Sequence, residues 1–241
     1  MPIYKSIYLA QRNPSIRAED WPRAWRSHPR AVAQLGSVGA KIGAAIDRID
    51  YCARVRDPRL NGSRVDLPSV SVVHDGVAVV SSASEDLHKI GRDRRGQEAV
   101  VADEIRVFGR PADEFALACR EEMSLGGRPS AAAVFRFLAR KAEIPVGEFT
   151  ARWAEGRVEL AREAVAGNVI TRYVHNVVVR EPPPQYAFDG ISEIWFSSVE
   201  EAARSLVDPT LTILLGDLPG FCDVGRSVTM LTEVIFRVPR E

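Results

Sequence analysis

The chain lacks most of the features that announce a function. Lys plus Arg and Asp plus Glu are equal, 32 each in 241 residues, so there is no net basic field to gather nucleic acid or an anionic membrane surface. The basic pair Arg94-Arg95 sits among acids. The longest apolar runs, such as Ala131–Val134 and Leu211–Leu215, fall far below the roughly 20 residues a membrane-spanning helix needs. The N-terminus opens on a strand-like run, Ile3–Leu9, rather than a basic-then-apolar leader, so the expected compartment is the cytoplasm.

Cysteine is equally sparse. Cys52, Cys119 and Cys222 are odd in number and far apart, which argues against a disulfide framework and against a paired-cysteine zinc or redox site. Each is expected to serve as a small buried hydrophobe. The four histidines, His28, His74, His88 and His175, show no metal-ligand spacing, so no metal is expected. GxGxxG, GxxxxGK[ST] and GxSxG are all missing, which leaves nucleotide cofactors and serine hydrolase chemistry without support.

What the chain does have is an internal echo. Trp21 and Trp25 are four apart, as are Phe149 and Trp153, and the two pairs lie 128 positions from each other. Arg48-Ile-Asp-Tyr-Cys52 lies on Arg172-Tyr-Val-His-Asn176 at an offset of 124. Asp75-Gly76-Val77 matches Asp189-Gly190-Ile191 at 114, and Asp103 matches Asp217 at the same offset. Landmarks in one order at a falling offset mark a duplicated unit with a shorter central connection in the second copy. The linker is Gly126-Gly-Arg-Pro129, which divides the chain into repeats 1–127 and 128–241.

Hydrophobic periodicity gives each repeat the order strand, helix, strand, strand, helix, strand. In the first half these are Ile3–Leu9, Asp20–Leu35, Ala45–Val55, Gly76–Ser81, Ser84–Ala102 and Phe115–Glu121. In the second they are Ala132–Ala139, Val146–Ala166, Ile170–Val179, Ile191–Phe196, Val199–Leu206 and Thr229–Val238. Positions 21, 25, 28, 32 and 35 form one stripe of the first helix. The fold class is therefore α+β, two tandem ferredoxin-like βαββαβ repeats. Strands apolar on both faces imply that each sheet is covered twice, by its helices and by a second sheet, with a cavity between the sheets; that sheet is expected to be the other repeat of the same chain, the alternative being a repeat of another chain.

These residues resemble the EthD family of dimeric α/β barrels. The better copy is the second, Arg172-Tyr-Val-His-Asn176 followed by Asp189-Gly-Ile-Ser-Glu-Ile-Trp-Phe196; the first keeps Trp21, Trp25, His28-Pro29 and Asp75-Gly76 but has Val79 and Val80 where Glu and Trp are expected. The resemblance implies a barrel-like pair with a central small-molecule pocket and no bound cofactor. Its relatives include polyketide cyclases, lactone isomerases, dehydratases and proteins that accompany ether degradation. Two departures matter: His28 follows Trp25 by three residues where the family has four, and the second copy has Gly156-Arg157 there with no histidine.

The candidate catalytic residues are His175, Tyr51, His28 and Glu193. His175 would serve as acid or base near neutral pH, or equally as a strand histidine bonded to a neighbour. Tyr51 holds the equivalent place in the first repeat and would donate to a developing oxyanion, or simply pack. His28 lies on the apolar stripe of its helix. Glu193 stands inside an apolar strand, where burial would raise its pKa and suit it to proton transfer, or where it forms a structural ion pair. Tyr173, Asn176, Trp25 and Trp195 are the candidate ligand contacts. Asp75 and Asp189 read as turn residues, and Asp50 as a surface partner of Arg48.

Three functions follow as expectations. The first is a cofactor-independent lyase or isomerase, of dehydratase or cyclase type, acting by acid–base chemistry on an aromatic, polyketide-like or lactone molecule in an apolar barrel pocket. The second is a non-catalytic small-molecule binder or accessory protein. The third is a haem-binding barrel with His175 or His28 as axial ligand. The expected partner is a hydrophobic or aromatic small molecule, with a homodimer possible and no nucleic acid or membrane. If His175 and Tyr51 both point toward the helices, the lyase or isomerase reading loses its best residues.

Overall fold

The computed structural model describes residues 2–30, 42–90, 96–155, 157–216 and 220–239. Eight strands close an antiparallel barrel: β1 (Ile3–Ala10), β2 (Arg48–Arg54), β5 (Gly76–Ser82), β6 (Ala116–Gly126), β7 (Ala132–Leu138), β8 (Arg172–Val178), β9 (Gly190–Phe196) and β10 (Val228–Pro239). A small hairpin, β3 (Arg59–Leu60) with β4 (Ser63–Arg64), lies outside it. Around the barrel run β6-β1-β5-β2 and then β10-β7-β9-β8, so each half has the order fourth, first, third, second. The fourth strand of each half pairs with the second strand of the other, β10 with β2 and β6 with β8. The barrel therefore closes within one chain and leaves no free sheet edge.

The helices coat the outside. Those with described bounds are α1 (Trp21–Arg26), α2 (Asp86–Ile90), α3 (Glu98–Phe108), α4 (Val146–Glu155), α5 (Val158–Ala166), α6 (Val199–Ser205) and α7 (Pro209–Leu215). Local chemistry sets their ends. Ser198 accepts from the Glu201 amide to start α6, and Asp208 accepts from the Thr210 amide to start α7, with Pro209 in its first turn. In α1 and α4 the aromatics four apart fall on one face and are buried against the sheet: Trp21 and Trp25, Phe149 and Trp153.

Each of these tryptophans uses a glycine. A Cβ on Gly76 would lie 2.7 Å from the Trp25 ring, and one on Gly190 would lie 2.4 Å from Trp153. The Asp-Gly pairs are thus more than turns. Asp75 is buried and takes the Arg12 amide and guanidinium, with Arg56 also on its carboxylate. Asp189 takes the Arg140 amide and guanidinium in the same way. Arg12 also reaches the Ile16 carbonyl and Arg140 the Ile144 carbonyl, so the cluster recurs 128 residues later on the arginine side. Asp50 likewise is no surface residue; it is buried between Arg48 and Arg237.

Several boundaries differ from the sequence reading. The first helix ends at Arg26, and positions 32 and 35 of its stripe lie outside the described residues, as do Arg94, Arg95, Gly156 and Asp217. The expected helix 84–102 is α2 and α3, which runs on to Phe108 where Gly109 caps it at φ 79°. The expected helix 146–166 is α4 and α5, with Arg157 as the residue before the second. The apolar run Leu211–Leu215 forms α7, an element the strand-helix count omitted. Among the described residues no helix is long and apolar enough to cross a membrane.

Candidate functional site

Alternation along the strands sorts the candidate residues onto two faces. Lys5, Ile7 and Leu9 of β1 share the barrel interior with Asp50, Val79, Asn176, Glu193 and Trp195. Tyr8, Tyr51, Tyr173 and His175 point outward, under the helices, so a lyase or isomerase site inside the barrel loses both His175 and Tyr51. The expectation of an apolar cavity between the two sheets is therefore corrected: the apolar pocket lies between the first-half sheet and its helices, whereas the barrel interior holds a charged one.

The interior cavity, of about 290 Å³, is lined by Lys5, Asp50, Glu121, Arg172 and Glu193 among others. Lys5 Nζ lies 2.7 Å from Glu193 Oε1 and 2.7 Å from Glu121 Oε2. Glu193 also accepts from Asn176 Nδ2 at 2.9 Å and from Trp195 Nε1 at 2.8 Å. Burial by itself would raise the Glu193 carboxyl, but the Lys5 charge and these three donors hold it below the ordinary carboxylate value. That is the opposite of what a proton-transferring Glu193 requires. Glu193, Asn176 and Trp195 thus meet in one ionised, hydrogen-bonded network.

The outward pocket of the first half has a described volume of about 140 Å³. Ile42, Ile46, Ile49, Leu87 and Val100 make its apolar wall, and Tyr8, His28, Tyr51 and Glu104 bring polar atoms to it. Tyr8 and Tyr51 flank Ala78 in register on neighbouring strands. Trp25 stacks on the Tyr51 ring at 4.7 Å and 13° and fixes its plane. Burial raises both phenols well above their usual value, so they stay protonated donors.

His28 follows the end of α1, and its Nδ1 lies 2.7 Å from Asp103 Oδ2 on α3. Burial would raise the Asp103 carboxyl, but hydrogen bonds from His28 and Arg106 bring it below its ordinary value. The ionised Asp103 accepts from Nδ1 and so orients the ring, with Nε2 the ring nitrogen it does not engage. Nε2 has no partner among the described residues. The His28 and Tyr51 rings lie 6.2 Å apart.

His175 is placed elsewhere. Trp153 covers its ring at 4.0 Å and 24°, and Tyr173 Oη lies 2.7 Å from its Nε2. Burial and the Arg157 charge push its pKa down to about 3, so it is neutral. Its partners are those of a packed residue. A haem does not fit these residues: the His175 Nε2 is taken by Tyr173, and a cavity of 140 Å³ beside His28 is of the size that holds one benzene ring.

Sequence reasoning noted Asp103 only as a landmark and passed over Tyr8, Glu104, Lys5 and Glu121. Lys5 carried a signal, a cation inside an apolar strand. Asp103 carried none, because its pairing with His28 spans 75 residues.

No family model matches the sequence. No curated protein matches it either. Solved structures match nearly end to end. A proposed monooxygenase from Fusobacterium nucleatum has a TM-score of 0.58 at 7% identity, covering 99% of this chain and 94% of that one. An anthrone oxidase-like protein has 0.58 at 10%, covering 98% and 92%. A variant chlorite dismutase from Candidatus Nitrospira defluvii has 0.50 at 12%, covering 96% and 90%. At such identities the likeness is one of backbone, and this chain is similar to these proteins in its fold.

Proposed function

We propose that the protein is a cofactor-independent enzyme that removes a proton from a small aromatic or lactone-like substrate in the first-half pocket. The observation that carries this reading is the His28–Asp103 pair at 2.7 Å, with Nε2 left for substrate in a pocket shared with two protonated phenols. His28 takes the proton, Asp103 steadies the imidazolium, and Tyr8 and Tyr51 donate to the enolate or phenolate oxygen that forms. The apolar wall excludes water and orients the ring. A cavity of about 140 Å³ suits one ring more than a folded polyketide.

Proton removal of this kind opens dehydration, isomerisation and ring closure alike. A second reading rests on the neighbours' names, anthrone oxidase-like and proposed monooxygenase: the same carbanion would meet dioxygen and be oxidised by it. The chain itself we read as two EthD-type ferredoxin-like repeats, 1–127 and 128–241. The doubled strand order, the twin Arg-Asp clusters and the twin Trp-Gly contacts support that reading.

The test is deuterium exchange from D2O into a panel of enolisable aryl ketones and phenolic lactones, followed by NMR under nitrogen and then under air. His28→Gln and Asp103→Asn are expected to lose exchange by about 100-fold or more. Product formation only under air selects oxidation. Binding without exchange in the unmutated protein would refute the enzymatic reading in favour of a carrier.

A further inference from the structure

The row of residues that forms the first pocket has a counterpart with different chemistry. Across β1, β5 and β2 the register brings Tyr8, Ala78 and Tyr51 into line. Across β7, β9 and β8 it brings Arg136, Ser192 and His175 into line. Each row begins two residues along from a glycine roofed by tryptophan, Gly76 under Trp25 and Gly190 under Trp153. Arg136 therefore stands where the first half places Tyr8.

Arg136 is only 9% exposed, yet it makes no hydrogen bond or ion pair among the described residues and its Nε is buried without a partner. Such a guanidinium is costly to bury, because among the described residues no carboxylate pairs with it. Its surroundings worsen the imbalance. Arg157, also 9% exposed, brings a second cation from the start of α5 and donates to the Gly216 carbonyl. Among the described residues, Tyr173, His175 and Cys222 are the titratable groups beside Arg136, and burial keeps all three neutral. The acid that acts on Cys222, Asp189, is already held by Arg140. Burial and the Arg157 charge push Arg136 down to about 10, against a smaller upward effect of Tyr173, the sign expected for a buried cation.

We propose that the second half binds an oxyanion, the carboxylate or phosphate group of a small ligand, on the unpartnered guanidinium of Arg136 beneath α4 and α5. A planar guanidinium is suited to these groups, and the anion would supply the missing counter-charge. The site is separate from His28 and does not depend on the reaction proposed there.

The full chain should be melted in benzoate or inorganic phosphate, each titrated at constant ionic strength against chloride. The unmutated protein is expected to show a saturable rise in Tm with one of them, benzoate indicating a carboxylate ligand and phosphate a phosphorylated one. Arg136→Met should weaken that response at least tenfold and melt no lower than the unmutated protein in chloride, since a buried unbalanced charge has been removed. His28→Gln should keep the full response. The proposal falls if neither anion acts beyond chloride, if Arg136→Met responds as strongly, or if that variant melts well below the unmutated protein in chloride. Should Arg136→Met fail to fold, Arg136→Lys keeps the charge without the fork; its response should drop tenfold, and an unchanged response overturns the proposal.

Discussion

Lys5→Met isolates the charged network inside the barrel. Lys5 touches both Glu121 and Glu193 at 2.7 Å. Its loss leaves Glu193 buried with only the neutral donors Asn176 and Trp195, while Glu121 keeps Arg172 at 3.0 Å. Removing one partner of a buried pair costs about 3–5 kcal/mol. For a chain of this size each kcal/mol lowers Tm by roughly 2–4 °C, so a fall of roughly 6–20 °C is expected. The pH dependence carries the sharper signature. In the unmutated protein the folded Glu193 pKa lies below its unfolded value, so its contribution is present above about pH 4.3 and is lost on acidification. Without Lys5, burial raises the folded pKa above the unfolded one. The variant then loses stability as pH rises through that raised value, and its deficit widens from pH 5 to pH 8. Urea unfolding followed by tryptophan fluorescence at the two pH values measures both quantities. Adding Glu193→Gln should restore more than half of the loss. A deficit below about 1 kcal/mol, the range of an exposed pair, or a deficit independent of pH would refute the reasoning.

Gly76→Ala and Gly190→Ala should each cost about 1–3 kcal/mol by driving a methyl into Trp25 or Trp153; altered near-ultraviolet circular dichroism with lowered Tm would show it, and unchanged melting would contradict the packing. His175 has a folded pKa of about 3, well below its unfolded value of about 6.5. The unfolded chain then binds a proton that the folded one refuses, and stability falls as pH drops from about 6.5 by about 1.4 kcal/mol per unit. His175→Gln should flatten the slope of urea-unfolding free energy against pH between 4 and 6 by that amount; an unchanged slope would show that His175 titrates normally.

The strands were legible because their apolar runs are short, β-branched and bounded by Gly and Pro. Boundaries were less so. The expected helix 146–166 is described as two helices, α4 ending at Glu155 and α5 starting at Val158, and its 3.6-residue periodicity alone did not show the division. The same limit governed the site. His28 and Tyr51 were visible as chemistry-bearing residues, and the structure brings them to one pocket. His175 looked the stronger candidate, yet it lies under Trp153, and no local pattern distinguishes a histidine facing a cavity from one facing an indole.

What the sequence determined by itself is therefore the local grammar: period-two strands, aromatics four apart on the first helix of each half, and landmarks repeated in order along the chain. These depend on neighbours a few residues away, which a sequence displays directly. Only the tertiary structure decided which face of each strand meets the helices, that the barrel closes within one chain, and that Asp103 meets His28 and Lys5 meets Glu193. Those outcomes join residues 75 and 188 positions apart. The free energy that selects them lies in burial, charge pairing and ring stacking between segments, and none of it is written in the spacing of any one segment.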